Sequence, residues 1–402
     1  MPEISKKIFI SAGESSGDIH GANLMRCLLE KDPQITFHGL GRENMITAGL
    51  HSLHDMSHKS LMWLHALTEI FTFLKMKTDC VRFMRQERPC AVILIDYCGF
   101  NFYIARAAKK LGIPVIYYIS PQLWAHGPWR VKKIKKLVDK LLVIYPFEKP
   151  FYENAGIPAT YVGHPLFDEI RKKGVDEGVL GELKNGLGET VVSFLPGSRR
   201  QEIVRLLPLF LRSAAQIHQQ IPSAQFLISC NDEHHFNLVE AIAKVSGVPY
   251  KIVVGNVHEV IQASALCIAG AGTVTLQIAY FLKPLIIVYK ISPFAYFIAR
   301  PFFTTPYIGL VNKLANRMIA PELLMCTGNH SWIAKQAAQL LRHDQKRRAC
   351  IEELTLLMNR IAKPGASRHA ADEIFKLIRP ATIQPHNVGA IHELPLQDKT
   401  GV

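Results

Sequence analysis

Apolar residues in this chain fall in two alternating patterns. Short unbroken runs are separated by longer stretches in which apolar positions recur every three or four residues. The first run, Lys7-Ile8-Phe9-Ile10-Ser11-Ala12, is β-branched and aromatic and predicts a strand. Strand signals return at 35–41, 90–96, 114–120, 141–148 and 159–166, with helical spacing between most of them. A second series begins at 191–195 and continues at 225–229, 250–255, 266–270 and 285–289. Most of these runs are continuously apolar, the pattern of strands covered on both faces in a parallel sheet. The prediction is an α/β protein with two doubly wound halves. The polar, glycine-bearing stretch 171–189 reads as the linker, giving a first domain at 1–175 and a second at 185–362. A helix follows over 363–379, and a tail at 380–402 without apolar periodicity reads as disordered.

The Gly-rich turns after these strands are the candidate chemistry, because doubly wound sheets bind ligands at the carboxyl ends of their strands. After the 191–195 run comes Pro196-Gly197-Ser198-Arg199, with Glu202 in the helix beyond. Backbone N–H groups at such a helix start face an anion, and Arg199 adds a planar cationic fork suited to phosphate. Gly270-Ala271-Gly272-Thr273 repeats the arrangement before a helix carrying Gln277. Two anion-type turns in one half predict a nucleotide seat in a cleft between the halves.

In the first half, Gly13-Glu14-Ser15-Ser16-Gly17-Asp18 lacks the dinucleotide spacing, and its two acids would repel a pyrophosphate. Glu14 and Asp18 suit hydroxyls or a sugar, although Asp18 also reads as a helix cap. Asp96 ends the apolar run 91–95 and is the first candidate for a general base; a turn aspartate is its plainer reading. The stretch 61–77 carries Leu61, Trp63, Leu64, Leu67, Ile70, Phe71 and Leu74, followed by Lys75 and Lys77. It fits an acyl-chain or membrane-surface contact, or else a core helix. Trp124 and Trp129 stand beside six basic residues, Arg130, Lys132, Lys133, Lys135, Lys136 and Lys140, which could meet phosphate headgroups or form a solvated face.

Composition narrows the choice. The chain has 402 residues, 49% hydrophobic and 20% charged, with a formal net charge of +14 that favours anionic partners. The basic excess runs through both halves rather than forming one patch, which argues against nucleic acid. Eight cysteines without a C-x-x-C pair read as reduced thiols, and the scattered histidines give no metal pattern. No cofactor is expected. No apolar run reaches the roughly 18 to 20 residues of a spanning helix. The start at Met1 leads to a strand without a signal-peptide pattern, so the expected location is the cytoplasm.

Taken together, Gly13-Glu14-Ser15-Ser16-Gly17-Asp18, Leu94-Ile95-Asp96-Tyr97 with Phe100-Asn101, and Gln122-Leu123-Trp124 resemble the lipid-A-disaccharide synthases. So do Pro146-Phe147-Glu148, Val162-Gly163-His164-Pro165-Leu166, Leu195-Pro196-Gly197-Ser198-Arg199, Gly272-Thr273 and Pro321-Glu322-Leu323-Leu324. The resemblance covers about residues 7 to 378. It implies a GT-B fold, two Rossmann-like domains facing a cleft. It implies inverting, metal-independent transfer of diacylglucosamine from UDP-diacylglucosamine to diacylglucosamine 1-phosphate (lipid X), at the cytoplasmic face of the inner membrane. In that scheme Asp96 is the base, with Glu14 and Asp18 beside it. Gly197, Ser198, Arg199, Glu202, Gly272, Thr273, Gln277 and Asn312 hold UDP. The chain departs from the family at Gln277, where glutamate is usual, and at Val311 and Met325. The competing readings are a UDP-sugar epimerase of the same fold and a non-enzymatic, basic membrane- or RNA-binding protein.

Overall fold

The computed structural model describes residues 6–54, 66–124, 130–292, 306–325 and 328–378. Seven parallel strands form the first sheet: β1 Lys7–Ala12, β2 Thr36–Leu40, β3 Leu50–Ser52, β4 Ala91–Ile95, β5 Val115–Tyr118, β6 Lys140–Val143 and β7 Ala159–Tyr161. They lie in the order β3-β2-β1-β4-β5-β6-β7. Six parallel strands form the second: β8 Val191–Leu195, β9 Gln225–Cys230, β10 Tyr250–Val254, β11 Leu266–Gly270, β12 Leu285–Lys290 and β13 Glu322–Met325. Their order is β10-β9-β8-β11-β12-β13. In each sheet the order reverses beside the first strand, at β1/β4 and β8/β11, which opens a crevice at the carboxyl ends.

The unbroken apolar runs become the central strands. All five residues of β4, of β8 and of β11 are buried. Each buried Ile or Leu contributes about 1.5–3 kcal/mol by leaving water. Helices cover both faces, as parallel sheets require. The short edge strands β3 and β13 were not foreseen, since three or four residues give too little periodicity to read.

The expected linker is corrected in part. Residues 171–173 end the helix Pro165–Lys173, and a further helix, Glu177–Lys184, occupies the middle of the stretch. Asp176 caps it by accepting from Gly178 N and Val179 N, while Leu180 and Leu183 are buried. Two apolar residues three apart, with a capping aspartate, were enough for a helix that composition had hidden.

The two lobes are joined by more than this crossing. The helix Asp344–Ile361 packs on the second sheet's helices, and the helix Ala366–Ile378 returns to pack against Ser15–Lys31 of the first lobe. Asp168 anchors that return by accepting from Gly365 N at 2.6 Å and Ser367 N at 3.3 Å. Arg171 donates to Ala362 O at 3.0 Å, and the Phe167 and Tyr280 rings stack with centroids 5.9 Å apart. Among the described residues no helix is long and apolar enough to cross a membrane.

Candidate active site

Asp96 follows β4 in a conformation that few non-glycine residues adopt. Asp96 and Tyr97 both have positive φ, 45° and 41°. Each such residue costs on the order of 1–3 kcal/mol unless its surroundings hold it. Here they do. Asn101 Nδ2 donates to Ile95 O at 3.1 Å and Asp96 O at 2.9 Å, and Tyr117 Oη donates to Asp96 O. Asn101 Oδ1 in turn accepts from Ser11 Oγ at 2.8 Å. The Tyr97 ring lies flat on Gly13, where a Cβ would fall 2.4 Å from ring carbons. Asp96 is left half-buried at the carboxyl edge of the sheet. Burial raises its pKa above the usual aspartate value, and the Glu14 carboxylate raises it further.

Glu14 stands at the start of the helix Ser15–Lys31 and faces the second lobe. Arg199 Nη2 lies 3.8 Å from Glu14 Oε2, and Arg199 Nη1 lies 3.9 Å from Glu202 Oε1. The Arg199 side chain remains 72% exposed. Long, exposed pairs of this kind hold little energy, so the guanidinium can turn to a stronger anion.

Beneath Arg199, Gly197 has φ +117° and packs so close to Glu202 that a Cβ would fall 2.1 Å from Glu202 Oε2. That same oxygen accepts from Arg199 N at 3.3 Å, opening the helix Arg200–Gln220. Ser198 is exposed. On the neighbouring strand, a Cβ at Gly270 would sit 3.4 Å from Pro196 O, so the two turns lie side by side. Gly272 has open space around it, Thr273 is exposed, and Gln277 is half-buried one turn into the helix Val274–Tyr280. Gly197, Ser198, Arg199, Gly272 and Thr273 thus share one face of the cleft, across from Glu14 and Asp96.

Two expected site residues are committed to the fold instead. Asp18 is 1% exposed. Its Oδ1 accepts from Arg42 N and Met45 N, and its Oδ2 accepts from Asn44 N and Nδ2, at 2.6–3.2 Å. With four donors on it, the carboxylate caps the helix Glu43–Thr47 from a neighbouring helix and has no lone pair for a sugar. Asn312 is fully buried. It accepts from Ile319 N and Ala320 N and donates to Ala320 O and Glu322 Oε2, which uses both its donors and both its acceptor positions. It braces the loop that leads to Glu322.

Of the apolar stripe, Leu61, Trp63 and Leu64 lie outside the described residues. Leu67, Ile70 and Phe71 belong to the helix Ala66–Glu87, without described side chains. Leu74 is 47% exposed.

A second buried acid escaped the sequence-based reading. Glu148 is fully buried and accepts from Ser120 Oγ, Trp124 Nε1, Ile144 N and Tyr145 N at 3.0–3.2 Å. Burial pushes its pKa up to about 7 against the pull of those donors. Lys313 of the second lobe places its ammonium 4.2 Å from the Trp124 ring centroid and 5.0 Å from that of Phe147. Its signal was present in the motifs containing Trp124 and Phe147-Glu148, but a lone glutamate after an aromatic residue carries no spacing that marks it. His164, also in a motif, is buried, and burial lowers its pKa to about 3, so the ring is neutral. Its Nδ1 accepts from Leu166 N at 3.2 Å.

The sequence matches the family model described as lipid-A-disaccharide synthetase over residues 8–374, which includes every element of the site above. The chain belongs to the lipid-A-disaccharide synthase family. The family's enzyme from Syntrophus aciditrophicus is 37% identical over 382 residues, covering 93% of this chain and 98% of the relative. That of Geobacter sulfurreducens is 35% identical over 381 residues, covering 93% and 98%. Among solved structures, the UDP-GlcNAc 2-epimerase from Neisseria meningitidis bound to UDP-GlcNAc superposes with a TM-score of 0.62 at 11% identity, covering 92% and 99%. MurG of Acinetobacter baumannii gives 0.55 at 16%, also covering 92% and 99%. At such identities these structures share the two-lobed GT-B fold and nothing finer. The family match, not the fold, decides against the epimerase reading.

Proposed function

We propose that this chain is a lipid-A-disaccharide synthase that transfers diacylglucosamine from UDP-diacylglucosamine to diacylglucosamine 1-phosphate, releasing UDP. The observation that carries the reading is the meeting of Arg199 with Glu14 across the cleft, where Glu14 also acts on Asp96. One lobe thereby brings a mobile cation, and the other a carboxylate with raised proton affinity, to the same gap. In the reaction, Asp96 takes the proton of the acceptor's primary hydroxyl. The oxygen attacks the anomeric carbon from the face opposite the diphosphate, the carbon–oxygen bond to the diphosphate breaks, and the electron pair leaves on UDP. The new bond has inverted configuration. Arg199 and the amides after Gly197 offset the growing diphosphate charge, with Ser198, Gly272 and Thr273 beside them and Gln277 placed for a ribose hydroxyl. Glu202 shapes the turn. Asp18 acts as a positioning residue for the first-lobe loop. The exposed Leu74 and the basic surplus suit a peripheral position on the cytoplasmic face of the inner membrane, with the 61–74 stripe meeting acyl chains.

The test is UDP release with both lipid substrates for wild type, Asp96→Asn and Arg199→Ala. Loss of the base should cost about 10²–10⁴-fold in kcat. Loss of Arg199 should cost about 10²–10³-fold, as for other donors to a developing charge. Turnover of the UDP-sugar without an acceptor, or full activity of Asp96→Asn, would defeat the proposal.

A further inference from the structure

Two residues beyond Asp96 the helix Cys98–Lys110 begins, and along its outer face runs a cavity of about 350 Å³ lined by Cys98, Gly99, Phe102, Tyr103, Arg106 and Leu137. Arg130 and Lys133, from the start of the helix Val131–Leu137, complete the lining. Its lining combines apolar side chains with three cations. All three are exposed, and none has an ion-pair partner among the described residues. Cations gathered round one hollow repel each other unless an anion joins them. Two guanidiniums and an ammonium match the three oxygens of a phosphate monoester, which guanidinium grips with paired N–H bonds.

The position specifies the phosphate further. Cys98, Phe102 and Arg106 are four residues apart on one helical face, so Arg106 sits about 12 Å along the axis from the Asp96 turn. A hexose hydroxyl at Asp96 and a phosphate on the far side of the same ring, met by a long arginine side chain, span that interval. The cavity also adjoins apolar surface. The Phe73 ring meets Tyr103 edge-on at 5.6 Å, Lys77 Nζ lies 5.3 Å from the Tyr103 centroid, and Leu74 is exposed in the same turn of its helix. The donor's diphosphate has its own cation, Arg199, in the opposite lobe.

We propose that Arg106, Arg130 and Lys133 form the phosphate subsite for the acceptor glycolipid, selecting a sugar 1-phosphate over the unphosphorylated lipid. The subsite rests on the transfer reaction proposed above. It makes these residues determinants of acceptor specificity, separate from the catalytic Asp96.

The experiment compares wild type, Arg106→Ala/Arg130→Ala and Lys133→Ala as full-length protein in detergent micelles. It measures direct binding of diacylglucosamine 1-phosphate and of its dephosphorylated counterpart, and then KM and kcat for transfer. Wild type should bind the phosphorylated lipid about tenfold or more tightly. The double variant should bind both lipids alike, with acceptor KM raised by about the same factor and donor KM unchanged. Lys133→Ala should fall between them. A phosphate preference that survives in the double variant overturns the subsite. A second arm measures pelleting with phosphatidylglycerol and phosphatidylcholine vesicles. Loss of phosphatidylglycerol binding with the acceptor preference intact assigns the cations to bilayer headgroups and also overturns it. Preferential binding by wild type without any transfer would instead sink the proposed reaction and leave the subsite standing.

Discussion

The Arg199 guanidinium stands 3.8 Å from the Glu14 carboxylate, one group from each lobe. With Arg199 72% and Glu14 50% exposed, the pair is worth at most about 1 kcal/mol. A diphosphate can therefore draw Arg199 away at small cost. Glu14 then keeps its own effect on Asp96, which is to make protonation easier.

Replacing Glu14 with Gln removes a negative neighbour and lowers the Asp96 pKa. Because a general base works only when ionised, activity is lost as pH falls through that pKa. The acidic limb of the kcat/KM profile should move to lower pH in Glu14→Gln. A limb that moves upward, or stays fixed, would separate Glu14 from Asp96.

Asn101→Ala should damage activity through the backbone. It strips a donor from Ile95 O and Asp96 O and leaves the Ser11 hydroxyl without its acceptor. Unmade buried hydrogen bonds cost about 1–3 kcal/mol, so the urea midpoint should fall. The turn at Asp96 should relax as well, lowering kcat at least tenfold while donor KM stays within about threefold. A variant equally stable and equally active would show that the left-handed turn needs no such support.

Asp18→Asn separates fold from chemistry. One carboxylate oxygen becomes an NH₂ facing backbone donors, which should cost about 1–3 kcal/mol in unfolding free energy. Turnover of the folded fraction should remain within a few-fold of wild type. A thousandfold loss of kcat without destabilisation would return Asp18 to the catalytic group.

Glu148 predicts a pH dependence of stability. Its folded pKa, about 7, lies above the ordinary value of 4.5, so the native state holds its proton more tightly. The associated stabilisation is complete below about pH 4.5 and is lost as pH rises through about 7. Urea midpoints between pH 5 and 8 should show that decline in wild type, and Glu148→Gln should remove it. An unchanged slope would place the titration elsewhere.

Lys313→Met tests the contact between lobes. The ammonium over Trp124 and Phe147 is worth about 0.5–2 kcal/mol. Its loss should favour a more open arrangement, visible as a larger radius of gyration by small-angle scattering. Unaltered scattering would show that other contacts set the closure.

How much of this was legible before the structure follows from the kind of signal each feature leaves. The central strands β1, β4, β8 and β11 are short, mostly apolar runs and were read directly. The glycine turns at Gly197 and Gly272 were read from composition, because a turn at a helix start needs those residues. The helix Glu177–Lys184 was missed because two buried leucines in a charged stretch look like a linker. Asp18 and Asn312 were placed at the site by motif. Motifs record residue identity and not direction, and both side chains turn inward to backbone amides. Glu148 and Lys313 went unnoticed for the complementary reason. Their side-chain partners, Ser120 and Trp124 for one and the two aromatic rings for the other, come from distant parts of the chain.

The helix Ala366–Ile378 completes the first lobe with residues that follow the entire second one. The chain therefore runs from lobe to lobe twice, near Lys173 and near Gly365. A pair of nearby tethers behaves like the two pins of a door. Swinging about the line through them is easy, while sliding or twisting pulls on covalent bonds. Substrate entry should use that single swing, and a shortened chain ending before Ala366 would lose a pin together with part of the frame.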